Sequence, residues 1–168
     1  GLFDLNTKRD TSKPPRHLGV ITSESTAALQ DTLSTIQRWA PSAQVSISAS
    51  AVHGVNSPYH IINALNRIVI FNEKNSDTKI EVVILARGHG SIEDLWCFNN
   101  EDLAREIAAY PIPTISGVGH EIDVTICDFV SDMRAPTPTA SAELVSEFNF
   151  KIRDRLADLN LSLFKSIE

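Results

Sequence analysis

Two short runs in this chain set chemically complementary side chains directly behind apolar segments. Arg87 ends the unbroken apolar run Val82-Val83-Ile84-Leu85 and opens Gly88-His89-Gly90-Ser91, while Thr114-Ile115-Ser116-Gly117-Val118-Gly119 delivers His120, with Asp123 one helical turn further on. A guanidinium is a permanently charged, forked donor that matches phosphate oxygens. An imidazole exchanges a proton near neutral pH, and a nearby carboxylate can fix its tautomer or hold a cation. Together they suit phosphodiester chemistry. The glycine turns supply a candidate phosphate cradle at Gly88, Gly90 and Gly119. Ser23 and Ser91 stand near helix starts, where a hydroxyl can donate to a phosphate, and Arg134 and Thr137 of Arg134-Ala135-Pro136-Thr137-Pro138-Thr139 are further substrate contacts.

Each residue also has a plain structural reading. Arg87 can sit in a buried ion pair, His120 can be a packed or capping residue, and Asp123 can cap a helix beginning at Val124. Ser23 and Ser91 suit helix caps equally well, and Arg134 and Thr137 can serve only to stiffen a proline-rich loop. His53, His60, His89 and His120 match no metal-ligand spacing, so no metal site is assigned to histidines.

The elements that must position these groups follow from periodicity. An apolar run without polar alternation predicts a parallel strand buried on both faces over 80–86, and a second strand is expected over 114–118. His17-Leu18-Gly19-Val20-Ile21 predicts the first strand, followed by a helix over 26–39 with Leu29, Leu33, Ile36 and Trp39 on one face. Alternating residues predict a strand over 45–52, and Ile61, Ile62, Leu65, Ile68 and Val69 a helix over 59–71. Residues 92–110 read as helical, broken near Phe98-Asn99-Asn100 where Asn100 caps the second piece. A short helix over 124–133 should turn Ile126, Phe129 and Val130 inward, and 134–139 is extended or looped because each proline disfavours helix before it. The last helix starts at Thr139 or Ser141. Its stripe of Val145, Phe148, Ile152, Leu156, Leu159, Leu163 and Ile167 exceeds what one domain needs and suits a partner helix, including one from a second copy. The resulting fold class is α/β: a doubly wound, mostly parallel sheet of about four strands flanked by helices, with a long C-terminal helix. Its strand carboxyl ends line one rim, where ligands bind.

With 168 residues, 42% of them hydrophobic, the chain fits one domain with a sizeable core. A net charge of −6 and a pI near 5.3 oppose the holding of nucleic acid by a broad basic face. Cys97 and Cys127 lack metal-type spacing and read as buried thiols. The polar opening has no signal-peptide character and no apolar stretch reaches membrane-spanning length, so a soluble, cytoplasmic protein without membrane contact is expected.

The runs Ala86-Arg87-Gly88-His89-Gly90-Ser91-Ile92-Glu93-Asp94-Leu95-Trp96, Val118-Gly119-His120-Glu121-Ile122-Asp123 and Arg134 to Glu143 occur in an order and spacing that resemble the catalytic domain of the exonuclease VII large subunit. The likeness spans roughly residues 15–146 and departs from the family's usual RGGGS at His89, a residue that fits left-handed backbone angles less readily than glycine. By itself Asp31 reads as a helix-surface acid. The resemblance implies that it belongs to the active site with Arg87, His120 and Asp123. It further implies hydrolysis of single-stranded DNA to oligonucleotides, no strict need for a divalent ion although Mg2+ can be accommodated, and pairing with the small subunit through a helical region. The implied layout is a linker from an N-terminal domain over 1–15, the catalytic α/β domain over 16–146, and the start of a long helical region over 147–168. The alternative reading from another class is a non-catalytic nucleotide- or phosphate-binding α/β domain.

Overall fold

The computed structural model describes residues 2–11, 13–24, 26–88, 92–119 and 122–165. Five strands, β1 (His17–Thr22), β2 (Gln44–Ala49), β3 (Val82–Ala86), β4 (Thr114–Gly117) and β5 (Met133–Arg134), form one sheet in the order β2-β1-β3-β4-β5. Every pairing is parallel, with Val20 opposite Ile47 on one side and Ile84 on the other. The three central strands are buried at every residue, which is why β3 carries an unbroken apolar run; β4 keeps Thr114 and Ser116 because their hydroxyls donate to Asp132 and Asp128, and edge strand β2 alternates. The sheet thus has one strand more than expected. The fifth is the two-residue β5, too short to leave a periodic signal; Asp132 N and Ala135 N bracket it by donating to Thr114 O and Ser116 O.

Helices α1 (Ala27–Trp39) and α5 (Pro138–Lys165) cover one face, over Leu18, Val20, Ile84 and Ile115. Helices α2 (Ser57–Lys74), α3 (Glu101–Ala109) and α4 (Ile126–Val130) cover the other, over Ile21, Val83 and Leu85. The stripe expected on α1 does this packing: Leu29 and Ile36 are buried, and Trp39 lies 4.7 Å from Phe150 of α5 between ring centroids. Asn100 caps α3 by accepting from Leu103 N at 3.0 Å, while Ile92–Asn99, expected as α-helix, winds as a tighter 310 helix.

Two further local expectations are corrected. Helix α4 begins at Ile126 rather than Val124, and its cap is Thr125 rather than Asp123. Thr125 and Asp128 form a reciprocal capping box in which Asp128 N donates to the Thr125 hydroxyl and Thr125 N to the Asp128 carboxylate. Phe129, expected inward, is instead 57% exposed and meets Phe3 edge-on at 5.9 Å; Cys127 fills the buried position. Both cysteines are buried free thiols, as expected.

The N-terminal segment adheres to this frame. Lys8 Nζ donates to the carbonyls of Phe129 and Ser131, and Arg9 donates to Asp132 at 2.7 Å from its backbone and 2.9 Å from Nε. At the other end, α5 carries Phe148, Ile152, Leu156 and Leu159 between 44% and 54% exposed, an apolar stripe left uncovered. Leu163 lies outside the described side chains and Ile167 outside the described residues.

Candidate active site

In the 2-1-3-4-5 order the chain reverses its direction of winding between β1 and β3, so the loops leaving these two strands diverge and open a crevice at their carboxyl ends. A hollow of about 550 Å³ occupies that place. Its wall includes Ser23 just past β1, Asp31 on the first turns of α1, Arg87 and Gly88 just past β3, and Thr137 at the start of α5. These five expected site residues come from four separated stretches of chain. Asp94, which was not singled out, and His53, weighed above only as a metal ligand, belong to the same lining.

Arg87 is the buried cation of this hollow, 7% exposed at the end of the most apolar strand. The carboxylate partner that a structural reading requires is present: Asp94 Oδ2 stands 3.6 Å from an Arg87 terminal nitrogen. That separation exceeds the usual 2.7–2.9 Å of a charge-assisted hydrogen bond, and Asp94 itself faces the hollow. Asp31 is exposed and lines the same hollow. Ser23 donates its hydroxyl to Ser50 O at 3.1 Å, tying the exits of β1 and β2, while the α1 cap is Thr26. Thr137 caps α5 by accepting from Ala140 N at 3.0 Å. Beneath the hollow, burial raises the Cys97 thiol from its ordinary 9.0 to about 11 against the opposing pull of Arg87, and its sulfur donates to Val52 O and Asp94 O.

The remaining expected residues gather around a different centre. Gly119, Asp123 and Arg134 do not line the hollow; they surround Asp128, whose side chain is fully buried. Asp128 accepts from the Ser116 hydroxyl at 2.5 Å and the Thr125 hydroxyl at 2.9 Å, and Arg134 Nε lies 3.9 Å away. A Cβ placed on Gly119 would fall 2.4 Å from Asp123 O and 2.5 Å from Asp128 Oδ2, so only glycine passes here. The two centres are neighbours, because Arg87 N donates to Gly117 O at 3.4 Å where β3 and β4 end together. Gly119 stands two residues past this shared strand end. His120, Gly90, Ser91 and His89 lie outside the described residues. Among the described residues no group of three or more His, Cys, Asp or Glu converges as a metal site.

A family model described as "Exonuclease VII, large subunit" matches residues 2–168. This chain belongs to the exonuclease VII large-subunit family. It is 50% identical over 149 residues to the exodeoxyribonuclease 7 large subunit of Vibrio vulnificus strain YJ016, covering 89% of this chain and 32% of that protein. It is 47% identical over 163 residues to the protein of the same name from Alcanivorax borkumensis, covering 97% of this chain and 35% of the other, and 46% identical over 156 residues to that from Delftia acidovorans, covering 88% and 35%. The chain thus spans about a third of the length of these relatives. Within this exonuclease VII large-subunit domain, Asp94 and Asp128 are what reading the sequence missed. The capping box Thr125-Ile126-Cys127-Asp128 was the available signal for Asp128, whereas Asp94 offers none beyond an acid near a helix start.

Proposed function

We propose that this domain hydrolyses phosphodiester bonds of single-stranded DNA as the catalytic core of an exodeoxyribonuclease. The observation that carries the reading is the convergence of Arg87, Asp31, Ser23, Gly88 and Thr137 on one open hollow at the sheet's switch point, beside the strand end that leads to His120. In the reaction a water oxygen forms a bond to phosphorus, the bond to the leaving sugar oxygen breaks, and that oxygen takes up a proton. Arg87 grips the scissile phosphate and neutralises its developing charge. Its burial makes that field strong and already oriented. His120 moves the proton, Asp123 sets its tautomer, and Asp31 positions the water or a cation. Gly90, Ser91 and Gly119 complete the cradle, and Arg134 acts from the Asp128 cluster behind it.

With a guanidinium supplying the positive charge, hydrolysis does not strictly require a divalent ion; Mg2+ held through waters near Asp31 would add charge to the same phosphate. Pairing with the small subunit is proposed through the helical region that α5 begins, whose apolar stripe stands uncovered, and the same stripe permits self-association.

The test is release of acid-soluble oligonucleotides from end-labelled single-stranded DNA by the full-length protein, with and without EDTA. Arg87→Ala should lower the rate roughly 100- to 1,000-fold, as loss of a preorganised charge donor does, and His120→Ala by roughly 100- to 10,000-fold. Cleavage undiminished in both variants would falsify this assignment.

A further inference from the structure

A second hollow of about 530 Å³ adjoins the first, and none of its residues belongs to the machinery described above except Asp94, which faces both. Its walls are Val55, Pro58 and Trp96, with Asn99 and Asn100 at the polar rim. The loop between β2 and α2 divides the two spaces: Val52 and His53 line the Arg87 side, Gly54 and Val55 the other. Trp96 is 72% exposed and Val55 97% exposed, although each carries an apolar surface that folding normally covers. The packing tryptophan Trp39 is half-buried against Phe150, whereas Trp96 is mostly open to solvent. This one stands two residues beyond Asp94 on the same 310 helix, at the border of the anion hollow.

We propose that this second hollow is a base-stacking subsite, in which Trp96 stacks an unpaired nucleobase one step along the strand from the phosphate held at Arg87. The inference rests on the reading of the first hollow as a phosphodiester site and deepens it. Charge supports it. A chain of net charge −6, with Asp31 and Asp94 in the phosphate hollow itself, cannot gain much of its affinity from counterion release. Stacking on an indole needs no net positive charge and accepts every base, since every base has a π-face. The apolar walls Val55 and Pro58 suit the flat faces of a base. The amide oxygens of Asn99 and Asn100 accept from Ile126 N and Leu103 N, which leaves their NH2 groups to donate to the carbonyl oxygens or ring nitrogens of a base edge. A paired base shows no free face, so the subsite admits single strands and rejects duplex.

The experiment uses the full-length protein and phosphorothioate-linked oligothymidylate carrying 5-iodouracil, irradiated and mapped by mass spectrometry, alongside anisotropy titrations with normal and abasic oligomers of equal length. The expected result is an adduct on the peptide bearing Trp96. Trp96→Ala should weaken binding of the base-bearing strand about five- to a hundredfold while leaving the abasic strand within about twofold, and Trp96→Phe should keep most of the affinity. Adducts only elsewhere, a protein segment crosslinked over Trp96 instead, unchanged binding in Trp96→Ala, or equal losses for both strands would each overturn the subsite. The two readings fail separately. Hydrolysis that Arg87→Ala abolishes, without a Trp96 adduct, removes the subsite alone; an adduct in a protein whose hydrolysis survives both Arg87→Ala and His120→Ala removes the catalytic assignment alone.

Discussion

At the residue scale the group with most to lose is Asp128. Its carboxylate is buried, yet it accepts from the Ser116 hydroxyl, the Thr125 backbone and the Thr125 hydroxyl, and it fronts Arg134. Removing it strands three donors in a space that water does not reach, at about 1–3 kcal/mol for each buried group left unsatisfied. Asp128→Ala should therefore lower the unfolding free energy by about 3 kcal/mol or more, read from the urea midpoint, while Ser116→Ala, which removes one donor and leaves the carboxylate others, should cost about 1 kcal/mol. Equal midpoints for the two variants would contradict this account. The difference between Asp128 and Arg87 also shows what a sequence exposes. Arg87 was legible because a charge ending an apolar strand before glycines has few uses. Asp128 was not, because its meaning depends on a serine twelve residues earlier and an arginine six later, which meet it only when β4 and β5 pair.

At the element scale two glycines hold their turns for different reasons, and each reason makes a different prediction. Gly54, between β2 and α2, has φ of +91° and open space where a Cβ would go, so alanine there meets backbone strain without a clash. Gly54→Ala should cost about 1–2 kcal/mol in unfolding free energy. Gly119 has the opposite problem, with carbonyl and carboxylate oxygens inside 2.5 Å of the added carbon. Gly119→Ala must move the backbone that leads to His120, and a displacement near 1 Å at a catalytic group costs on the order of 100-fold in rate. Hydrolysis should then fall much further than thermal stability. Such turn details stay hidden in a sequence, since Gly-Val-Gly announces a turn but not what crowds it. Strand β3 was legible because its full burial imposes an unbroken apolar run, and β2 because its sequence alternates; β5 and the 310 winding of 92–99 were not, the first being two residues long and the second sharing its apolar spacing with an α-helix.

At the scale of the whole molecule the core contains acids that folding keeps protonated, and this fixes how stability responds to alkali. Burial raises Cys97 to about 11 and pushes Cys127 and the Tyr110 phenol higher still, Tyr110 donating its hydroxyl to Leu65 O at 2.8 Å. In the unfolded chain the thiols ionise near 9.0 and the phenol near 10.0. Between those values and the folded ones the native state binds more protons than the unfolded state, so raising the pH favours unfolding. The contribution is fully present below about pH 8 and is lost above it, at about 1.4 kcal/mol per pH unit for each thiol, with Tyr110 joining above pH 10. Against a total stability of roughly 5–15 kcal/mol, that loss is large by pH 10.5. Urea midpoints measured from pH 7.5 to 10.5 should fall with a steepening slope, and Cys97→Ala or Cys127→Ala should each remove about one thiol's share of it, whatever either costs at neutral pH. Because Cys97 donates to Val52 O and Asp94 O, its ionisation also releases the hydrogen bonds joining the walls of the two hollows. Affinity for single strands should therefore decline with the Cys97 ionisation, before the fold itself is lost, and that earlier step should be absent in Cys97→Ala; a flat alkaline limb would mean the buried thiols do not couple the site to the core.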